Sequence, residues 1–204
     1  MFPPGLASGI IVPYFDKEQR MRKKPTILQT HTLSQTRLFL IEQVDLRFAN
    51  GVETSYERLI GGARGAVLIV PMLDDDNVLL IREYSVGVER YELALPKGRI
   101  EEGEDMLAAA NREIMEEIGY GSHQLHHLSS LTLAPGYIGH ITHIVLARQL
   151  YPQRMPGDEP EPIEVVPWSL QRLDELLQQD DFTEARSVAA LFLAKEYLQH
   201  APSQ

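Results

Sequence analysis

The stretch GRIEEGEDMLAAANREIMEEIGYG, residues 98–121, concentrates like charge to an unusual degree. It holds seven acidic side chains and two basic ones, Arg99 and Arg112, so half of the chain's formal net charge of −10 lies in these 24 residues. Apolar residues recur through its second half at helical spacing, which predicts a helix from about Asp105 to Ile118. Gly119 suits the position just beyond the C-terminal end of that helix.

A helical wheel separates an apolar face from an acidic one. The apolar stripe, which predicts the side facing the core, contains Leu107, Ala110, Ile114 and Ile118. Glu113, Glu116 and Glu117 share a neighbouring face, where like charges cost about 0.2–0.5 kcal/mol per pair. Arg112 is predicted to point to another side of the wheel. Three clustered carboxylates without cysteine favour Mg²⁺ or Mn²⁺ over zinc. The alternative is a solvated acidic face.

Composition narrows the classes of protein that the chain can belong to. Its 204 residues suit one domain with a small subdomain, and 44% hydrophobic residues allow a sizeable core. The negative net charge argues against non-specific binding to nucleic acid or anionic membranes. No apolar run reaches the roughly 18 residues of a membrane span. The absence of cysteine excludes disulfides, thiolate zinc sites and cysteine nucleophiles, and it fits a cytoplasmic protein.

The remaining patterns predict a mixed α/β fold. Alternation of apolar and polar residues on both sides of Asn50-Gly51 predicts a β-hairpin. Further strands are predicted at residues 65–73, 78–86, 91–96, 125–134, 142–150 and 165–168. Residues 169–179 and 183–200 are predicted as helices, and the acidic, proline-rich residues 151–164 as a loop. The order of strands, helix, strands and helices predicts a mixed sheet with helices on both faces.

The charged stretch also resembles a known family motif. Gly98 is followed after five residues by Glu104, and after seven more by REIMEEIGY at residues 112–120. This pattern resembles the Nudix box, G-x5-E-x7-R-E-U-x-E-E-x-G-U with U apolar, and only Tyr120 fits loosely. The seven charged or glycine positions would coincide by chance on the order of once in 10⁸ starting positions or rarer. The resemblance therefore disfavours a merely solvated acidic face.

The resemblance implies a fold, a cofactor and roles for the box residues. The implied fold is the Nudix α/β/α sandwich, and the implied cofactor is Mg²⁺ or Mn²⁺, with two or more ions per site. The implied metal ligands are the carboxylates of Glu113, Glu116 and Glu117 and the backbone oxygen of Lys97. Glu116 is also a candidate catalytic residue. The implied structural residues are Gly98, Glu104, Arg112 and Gly119, with an ion pair between Glu104 and Arg112 tying the loop to the helix.

Beyond the box, the chain resembles the ADP-ribose pyrophosphatase branch of the family. Pro135 lies about fifteen residues after the box, and Tyr137 follows it. Segments such as NGVETSYERL, PKG and EARSVAALFL are similar to bacterial hydrolases of ADP compounds. The implied substrates are ADP-ribose, diadenosine di- and triphosphates and, less favoured because SQPWPFP is absent, NADH. The candidate substrate-binding residues are Arg58, Arg82, Arg99, Pro135 and Tyr137.

The same branch places its general base in an acidic loop before the last strand. The candidates in GDEPEPIE are Asp158, Glu159, Glu161 and Glu164. Glu159 is ranked first and Glu161 second, with metal binding as another role for Glu161; the alternative is a solvated acidic loop. Histidines 126, 127, 140 and 143 show no ligand spacing and are predicted to be bystanders.

The sequence also predicts how the chain divides into domains, and it leaves two other functions open. Residues 1–24 are predicted to form a flexible tail, residues 25–62 an antiparallel β subdomain that dimerises, and residues 63–200 the Nudix domain. The dimer follows from the family resemblance. Two alternatives stay open: a non-catalytic nucleotide-sensing module, and a Nudix enzyme acting on CoA or nucleoside triphosphates.

Overall fold

The secondary structure follows an order close to the predicted one. The structure, a computed structural model, describes residues 23–61 and 64–200, so nearly all of the predicted N-terminal tail lies outside the described residues. Within these ranges the chain forms 11 strands and three α-helices. The strands are β1 Thr26–Gln35, β2 Leu40–Arg47, β3 Glu53–Ile60, β4 Ala66–Pro71, β5 Asn77–Ser85, β6 Arg90–Ala94, β7 Lys97–Arg99, β8 Tyr120–Thr132, β9 Ile138–Gly139, β10 Ile141–Pro152 and β11 Glu164–Ser169. The helices are α1 Met106–Glu117, α2 Leu173–Leu176 and α3 Ala185–His200.

Two sheets form the centre of the molecule. One has the strand order β7-β4-β10-β8 and is mixed: β10 runs parallel to β4 and antiparallel to β8, and β7 is antiparallel to β4. The other has the order β11-β5-β6 and is antiparallel throughout. The predicted mixed sheet is therefore confirmed. The arrangement also brings β7, where the acidic motif begins, to one edge of the mixed sheet.

The core lies on both faces of these sheets, and β4 shows why. All six residues of β4 are buried, as expected for a strand covered on both sides. Val67 and Ile69 pack in a cluster with Ala109, Ala110 and Ile114 of α1. The alternate residues Leu68 and Val70 pack in a second cluster with residues of α2 and α3. Each such side chain contributes roughly 1.5–3 kcal/mol by burial. The sandwich of sheets between helices is confirmed.

A separate four-stranded sheet precedes this core. Its strand order is β1-β2-β3-β9, and β9 joins it by running parallel to β3. The predicted hairpin at Asn50-Gly51 is confirmed: Gly51 has φ +84°, and the N–H of Phe48 donates to the oxygen of Val52 at 2.9 Å. All ten residues of β1 are exposed, so this strand contributes no side chain to the core.

Three local features differ from the sequence prediction. The exposed β1 carries no buried alternation and was not predicted as a strand. Short strands β7 and β9 lie inside segments predicted as loops. The helix predicted at residues 169–179 is a 3₁₀ turn followed by the four-residue α2. The two meet at Arg172, whose φ and ψ of −106° and 30° leave the helical region and whose carbonyl accepts a hydrogen bond from the Trp168 indole. Of the helices described, none is long and apolar enough to cross a membrane.

Candidate active site

The acidic motif is built as a strand, a loop and a capped helix. β7 ends at Arg99, and Asp105 begins the helix by accepting hydrogen bonds from the backbone N–H groups of Leu107 and Ala108 at 2.9 and 3.3 Å. Such a cap contributes about 1 kcal/mol. At the other end Gly119 has φ +76°, a left-handed conformation that glycine adopts at little cost. The helix prediction and its C-terminal glycine are both confirmed.

Arg112 ties the loop to the helix. Its Nε and Nη2 donate to the two carboxylate oxygens of Glu104 at 2.9 and 3.1 Å, and Nη2 also donates to the backbone oxygen of Arg99 at 3.0 Å. The ion pair expected between these two box residues is present. The Arg112 guanidinium holds the pKa of the Glu104 carboxyl below its usual value. The loop between β7 and α1 is thus held at its base rather than left to move freely.

The direction of Arg112 differs from the prediction that it points away from the acidic face. Its Nη1 lies 2.8 Å from Glu113 Oε1 and 2.9 Å from Glu116 Oε2. Residues four apart on a helix are neighbours, and the long arginine side chain reaches both carboxylates. The repulsion within the acidic face is therefore partly offset inside the motif itself.

Gly98 lets the helix come close to β7. A Cβ atom at this position would lie 1.9–2.1 Å from the carboxylate atoms of Glu113, a distance that no side chain can occupy. The space is needed because Glu113 is only 8% exposed and its carboxylate lies directly against the strand. Burial raises the pKa of Glu113, although Arg112 acts in the opposite direction. The absence of a side chain at position 98 therefore leaves the space that the Glu113 carboxylate occupies.

Glu117 is the most enclosed carboxyl group of the motif. It is 5% exposed, and Oε2 accepts a hydrogen bond from the backbone N–H of Lys97 at 3.0 Å. Burial raises the pKa of Glu117 to about 8, with the charge of Lys97 and this hydrogen bond acting to lower it. A carboxylate buried to this extent gains most from a nearby cation.

The donor atoms on this face are suited to a hard divalent cation. They are the carboxylate oxygens of Glu113, Glu116 and Glu117 and the backbone oxygen of Lys97, and oxygen donors are those that Mg²⁺ and Mn²⁺ prefer. Within residues 23–61 and 64–200, no three Asp, Glu or His side chains are grouped so that they could hold a metal ion. Arg112 donates to two of the three carboxylates, those of Glu113 and Glu116.

A pocket of about 1070 Å³ covers the acidic face. The residues of the motif that line it include Lys97, Gly98, Arg99, Arg112, Glu113, Glu116 and Glu117. Residues 156–160 of the acidic loop also line the pocket and contribute Asp158 and Glu159. Glu159 is half-buried, whereas Asp158 is exposed. The fold thus brings the first-ranked base candidate to the same pocket as the box glutamates, about 40 residues away in the chain.

Two of the predicted substrate-binding arginines do not line this pocket. Arg58 lies in the N-terminal sheet, where its Nε and Nη2 donate to Glu42 Oε2 at 3.0 and 2.8 Å. Arg82 donates to Glu164 at 3.0 Å and to Asp181 at 3.1 Å, joining β5, β11 and the segment before α3. Both arginines already have carboxylate partners within the chain, which sequence spacing could not reveal.

Three more predicted residues outside the pocket, Glu161, Pro135 and Tyr137, belong to two loops. Glu161 is exposed and accepts a hydrogen bond from the Tyr91 hydroxyl at 2.5 Å. Pro135 and Tyr137 lie in the turn before β9; Tyr137 is 62% exposed, and its backbone oxygen accepts from the Leu59 N–H at 2.8 Å. The histidines predicted to be bystanders do not line the pocket either.

Other pocket residues were missed by sequence reasoning. Arg64 donates to the backbone oxygen of Glu101 at 2.9 Å, at the mouth of the motif loop. Glu83 Oε2 lies 3.3 Å from the Nζ of Lys97, whereas only the backbone oxygen of Lys97 was predicted to belong to the site. The alternation of β5 contained a signal for Glu83, because Leu79 and Ile81 pack on the α1 side and Glu83 continues that face. Arg64 had no comparable signal.

Comparison with known proteins agrees with this geometry. Residues 62–192 match the family model for the NUDIX domain, and residues 25–58 match that for the NudE-type Nudix hydrolase N-terminal domain. The chain belongs to the Nudix family. Its similarity to one member is high: it is 50% identical to the ADP compounds hydrolase NudE of Escherichia coli strain K12, over 86% of this chain and 94% of that protein.

More distant relatives and a solved structure extend the comparison. The chain is 32% identical to the ADP-sugar pyrophosphatase of Mus musculus, over 71% of each protein. It is 26% identical to the ADP-ribose pyrophosphatase of Bacillus subtilis strain 168, over 84% of this chain and 94% of that protein. A crystal structure of an ADP compounds hydrolase superposes with a TM-score of 0.82 at 49% identity, covering 87% of this chain and 96% of that one.

Proposed function

We propose that this protein, a Nudix pyrophosphohydrolase, cleaves the diphosphate bond of ADP-linked compounds and releases AMP. The observation that carries the proposal is the pocket in which two buried carboxyl groups, Glu113 and Glu117, face the acidic loop with Asp158 and Glu159. The names of the three relatives, two of them ADP-ribose or ADP-sugar pyrophosphatases, support ADP-ribose and similar compounds as the substrate class.

The proposed cofactor is Mg²⁺ or Mn²⁺, held by Glu113, Glu116, Glu117 and the backbone oxygen of Lys97. The burial of Glu117 and the all-oxygen donor set support this assignment. When bound, such a cation supplies positive charge for the diphosphate and increases the acidity of water. The number of ions, two or more by family resemblance, stays a prediction.

The reaction consumes one water for each diphosphate bond. The water oxygen bonds to one phosphorus, the bond from that phosphorus to the bridging oxygen breaks, and the bridging oxygen leaves with the other phosphate. ADP-ribose gives AMP and ribose 5-phosphate, and diadenosine triphosphate gives AMP and ADP. A carboxylate outside the metal face is needed to take the water proton, and Glu159 is proposed for this role because it lines the pocket opposite the box. Glu161 remains the second candidate.

Positive side chains at the pocket are proposed to hold the phosphates. Arg64, Lys97 and Arg99 line it, and Arg99 was predicted from the sequence for this role. Guanidinium groups suit phosphate because they donate two parallel hydrogen bonds. Arg58, Arg82, Pro135 and Tyr137 stay predictions that would require contacts beyond this pocket.

A substrate panel tests the proposal directly. The purified protein is incubated with Mg²⁺ and ADP-ribose, diadenosine triphosphate, NADH, CoA or a nucleoside triphosphate, and the products are separated by chromatography. We expect AMP from ADP-ribose and diadenosine triphosphate at the highest rates. Faster release of phosphate or pyrophosphate from a triphosphate, or faster cleavage of CoA, would contradict the substrate class. Tight nucleotide binding without turnover would instead identify a sensing module.

Two further proposals concern organisation. The N-terminal sheet, residues 25–62, is proposed to form a homodimer, because its outer strand β1 is exposed along its whole length. Residues 63–200 are proposed as the catalytic domain.

A cytoplasmic location is proposed from the absence of cysteine in the chain.

A further inference from the structure

Three consecutive residues, the two that link β6 to β7 and the first residue of β7, are held from three different directions. The N–H of Leu95 donates to Ser187 Oγ of α3 at 2.9 Å. The backbone oxygen of Pro96 accepts from the N–H of Ile69 in β4 at 2.9 Å. The N–H of Lys97 donates to Glu117 Oε2 of α1 at 3.0 Å. One helix on each side of the sheet and the sheet itself therefore fix this short segment.

Ser187 is the member of this arrangement on the far side of the sheet from the acidic face. It is fully buried, and so is Leu95, so water cannot replace their hydrogen bond. The hydroxyl also donates to Glu184 Oε2 at 2.7 Å, and the same oxygen accepts the Ser187 N–H at 2.7 Å. Because a hydroxyl has one proton, donation to Glu184 leaves its lone pairs directed to Leu95.

We infer that Ser187 is a positioning residue for the metal site, acting through Leu95 on Lys97 and Glu117. Planar peptide bonds leave few ways for Lys97 to move while Leu95 and Pro96 are fixed. The Lys97 N–H orients the Glu117 carboxylate, and the Lys97 oxygen is itself a proposed ligand. The inference rests on the proposed metal site, and it explains why a polar residue lies in the otherwise apolar face of α3 that includes Ala190, Leu191 and Ala194.

The test compares Ser187→Ala with a matched variant of the same helix. Ala194 is also fully buried and lies seven residues further along α3, so Ala194→Gly weakens the helix but keeps the hydroxyl that accepts the Leu95 N–H. Mn²⁺ binding to each full-length protein is measured by the electron paramagnetic resonance signal of the free ion. Loss of an outer contact typically weakens metal binding by 10- to 100-fold, so we expect a rise in Kd of roughly 10-fold for Ser187→Ala. Ala194→Gly should leave the Kd within about twofold of wild type while lowering Tm.

A second readout follows the segment itself. Hydrogen exchange of the Leu95 amide is expected to accelerate in Ser187→Ala and to stay near the wild-type rate in Ala194→Gly. If Ser187→Ala does not fold, Ser187→Cys carries the test, because it keeps the size of the side chain but is a weaker acceptor. Its Kd is expected to exceed that of wild type by more than the twofold margin set by Ala194→Gly, and a Kd within that margin would contradict the role of Ser187.

Two failures can be told apart with Glu117→Gln. If wild type binds Mn²⁺, Glu117→Gln abolishes that binding and Ser187→Ala matches Ala194→Gly, then only the role inferred for Ser187 is wrong. If wild type does not bind Mn²⁺, or if Glu117→Gln leaves its Mn²⁺ binding unchanged, then the proposed metal site is wrong. The inference about Ser187 is then wrong as well.

Discussion

Glu117 shows how burial prepares a single residue for a cation. The folded protein holds the proton of this carboxyl more tightly than the unfolded chain, since its pKa rises from 4.5 to about 8. The contribution to stability is full below pH 4.5 and is lost as the pH rises toward 8. In metal-free protein at pH 9 the buried charge is therefore destabilising, and a cation that binds it offsets this cost.

Replacing Glu117 by glutamine should raise stability and abolish activity together. Thermal unfolding in EDTA at pH 9 should give Glu117→Gln a higher Tm than wild type, with a smaller difference at pH 5, because glutamine carries no charge to bury. In saturating Mg²⁺ its kcat should fall by roughly 10²–10⁴-fold. Glu104→Gln is a control for which the change in Tm should have the opposite sign. Arg112 lowers the pKa of Glu104, so removing the charge of Glu104 should reduce Tm at pH 9. Equal Tm values for Glu117→Gln and wild type at pH 9 would contradict the raised pKa.

Gly98 gives a second prediction at the scale of one residue. Gly98→Ala places a methyl group where the Glu113 carboxylate lies, so this carboxylate must leave its position, by rotation of the side chain or by a shift of α1 or β7. We expect the Mn²⁺ Kd to rise by roughly 10-fold or more. Gly87→Ala is the matched control, because a Cβ there meets no atom within 4 Å and its φ is not positive. Unchanged Mn²⁺ binding in Gly98→Ala would show that Glu113 does not need this close approach.

Sequence spacing could identify the acidic residues but not what surrounds them. The i, i+3, i+4 pattern placed Glu113, Glu116 and Glu117 on one face, because helix geometry is local. The reach of Arg112 depends on side-chain rotamers, and the contact of Glu117 with Lys97 depends on how α1 packs on the sheet. Tertiary packing also decided that Arg82 is engaged by carboxylates instead of facing the pocket.

Arg112 joins two elements of the fold, the motif loop and α1. The side chains of Arg112 and Glu104 are 20% and 16% exposed, so their ion pair is mostly buried. Arg112→Ala leaves a shielded carboxylate unpaired, and we expect a loss of roughly 1–3 kcal/mol in the free energy of unfolding, measured with urea. Arg172→Ala is the control, because its pair with Glu175 is 60% and 51% exposed and should be worth less than about 1 kcal/mol. If both variants lost the same free energy of unfolding, the buried contact of Arg112 with the loop would be worth no more than an exposed ion pair.

The acidic loop is the second element that the proposed mechanism needs. Glu159→Gln should lower kcat by roughly 10²–10³-fold with KM within a few-fold, because a general base acts mainly in the transition state. Mn²⁺ affinity should not change. Asp158→Asn, which alters the other acid of the same pocket wall, is the control and should keep most of the kcat. If Glu159→Gln and Glu161→Gln, singly and together, keep more than about a third of the wild-type kcat, and Asp158→Asn keeps most of it, the base lies outside this loop.

The elements themselves divide into those with a strong sequence signal and those without one. β4 was predictable as a short continuous apolar run, and α1 because burial at helical spacing leaves a pattern in the sequence. β1 left no such pattern, since all of its side chains are exposed and its backbone pairing with β2 is what defines it. α2 is short because the fold turns after Leu176 toward Phe182, a buried residue whose position no local signal contained.

At the scale of the whole molecule, the N-terminal sheet presents apolar surface with no cover among the described residues. Ile27 and Leu33 of β1 are each 49% exposed, and Leu38, Phe39 and Tyr56 are 50–57% exposed. Exposed apolar strands at a sheet edge favour pairing with another chain. In contrast, the sheets around β4 are covered on both faces by helices. This asymmetry supports the proposed dimer through the N-terminal strands.

Charge placed on β1 should therefore separate the two subunits. We expect wild type to be dimeric at micromolar concentration by light scattering after size exclusion, and the double variant Ile27→Lys with Leu33→Lys to be monomeric, because each lysine would have to be buried at the interface without a partner. Leu177→Lys changes a residue outside the N-terminal sheet that is 40% exposed, and this variant should remain dimeric. Amide exchange in β4 should match wild type in both variants, since none of the three substituted residues belongs to the core clusters around β4. A dimeric double variant with that core intact would place the interface elsewhere, and a monomeric wild type would rule out the dimer altogether.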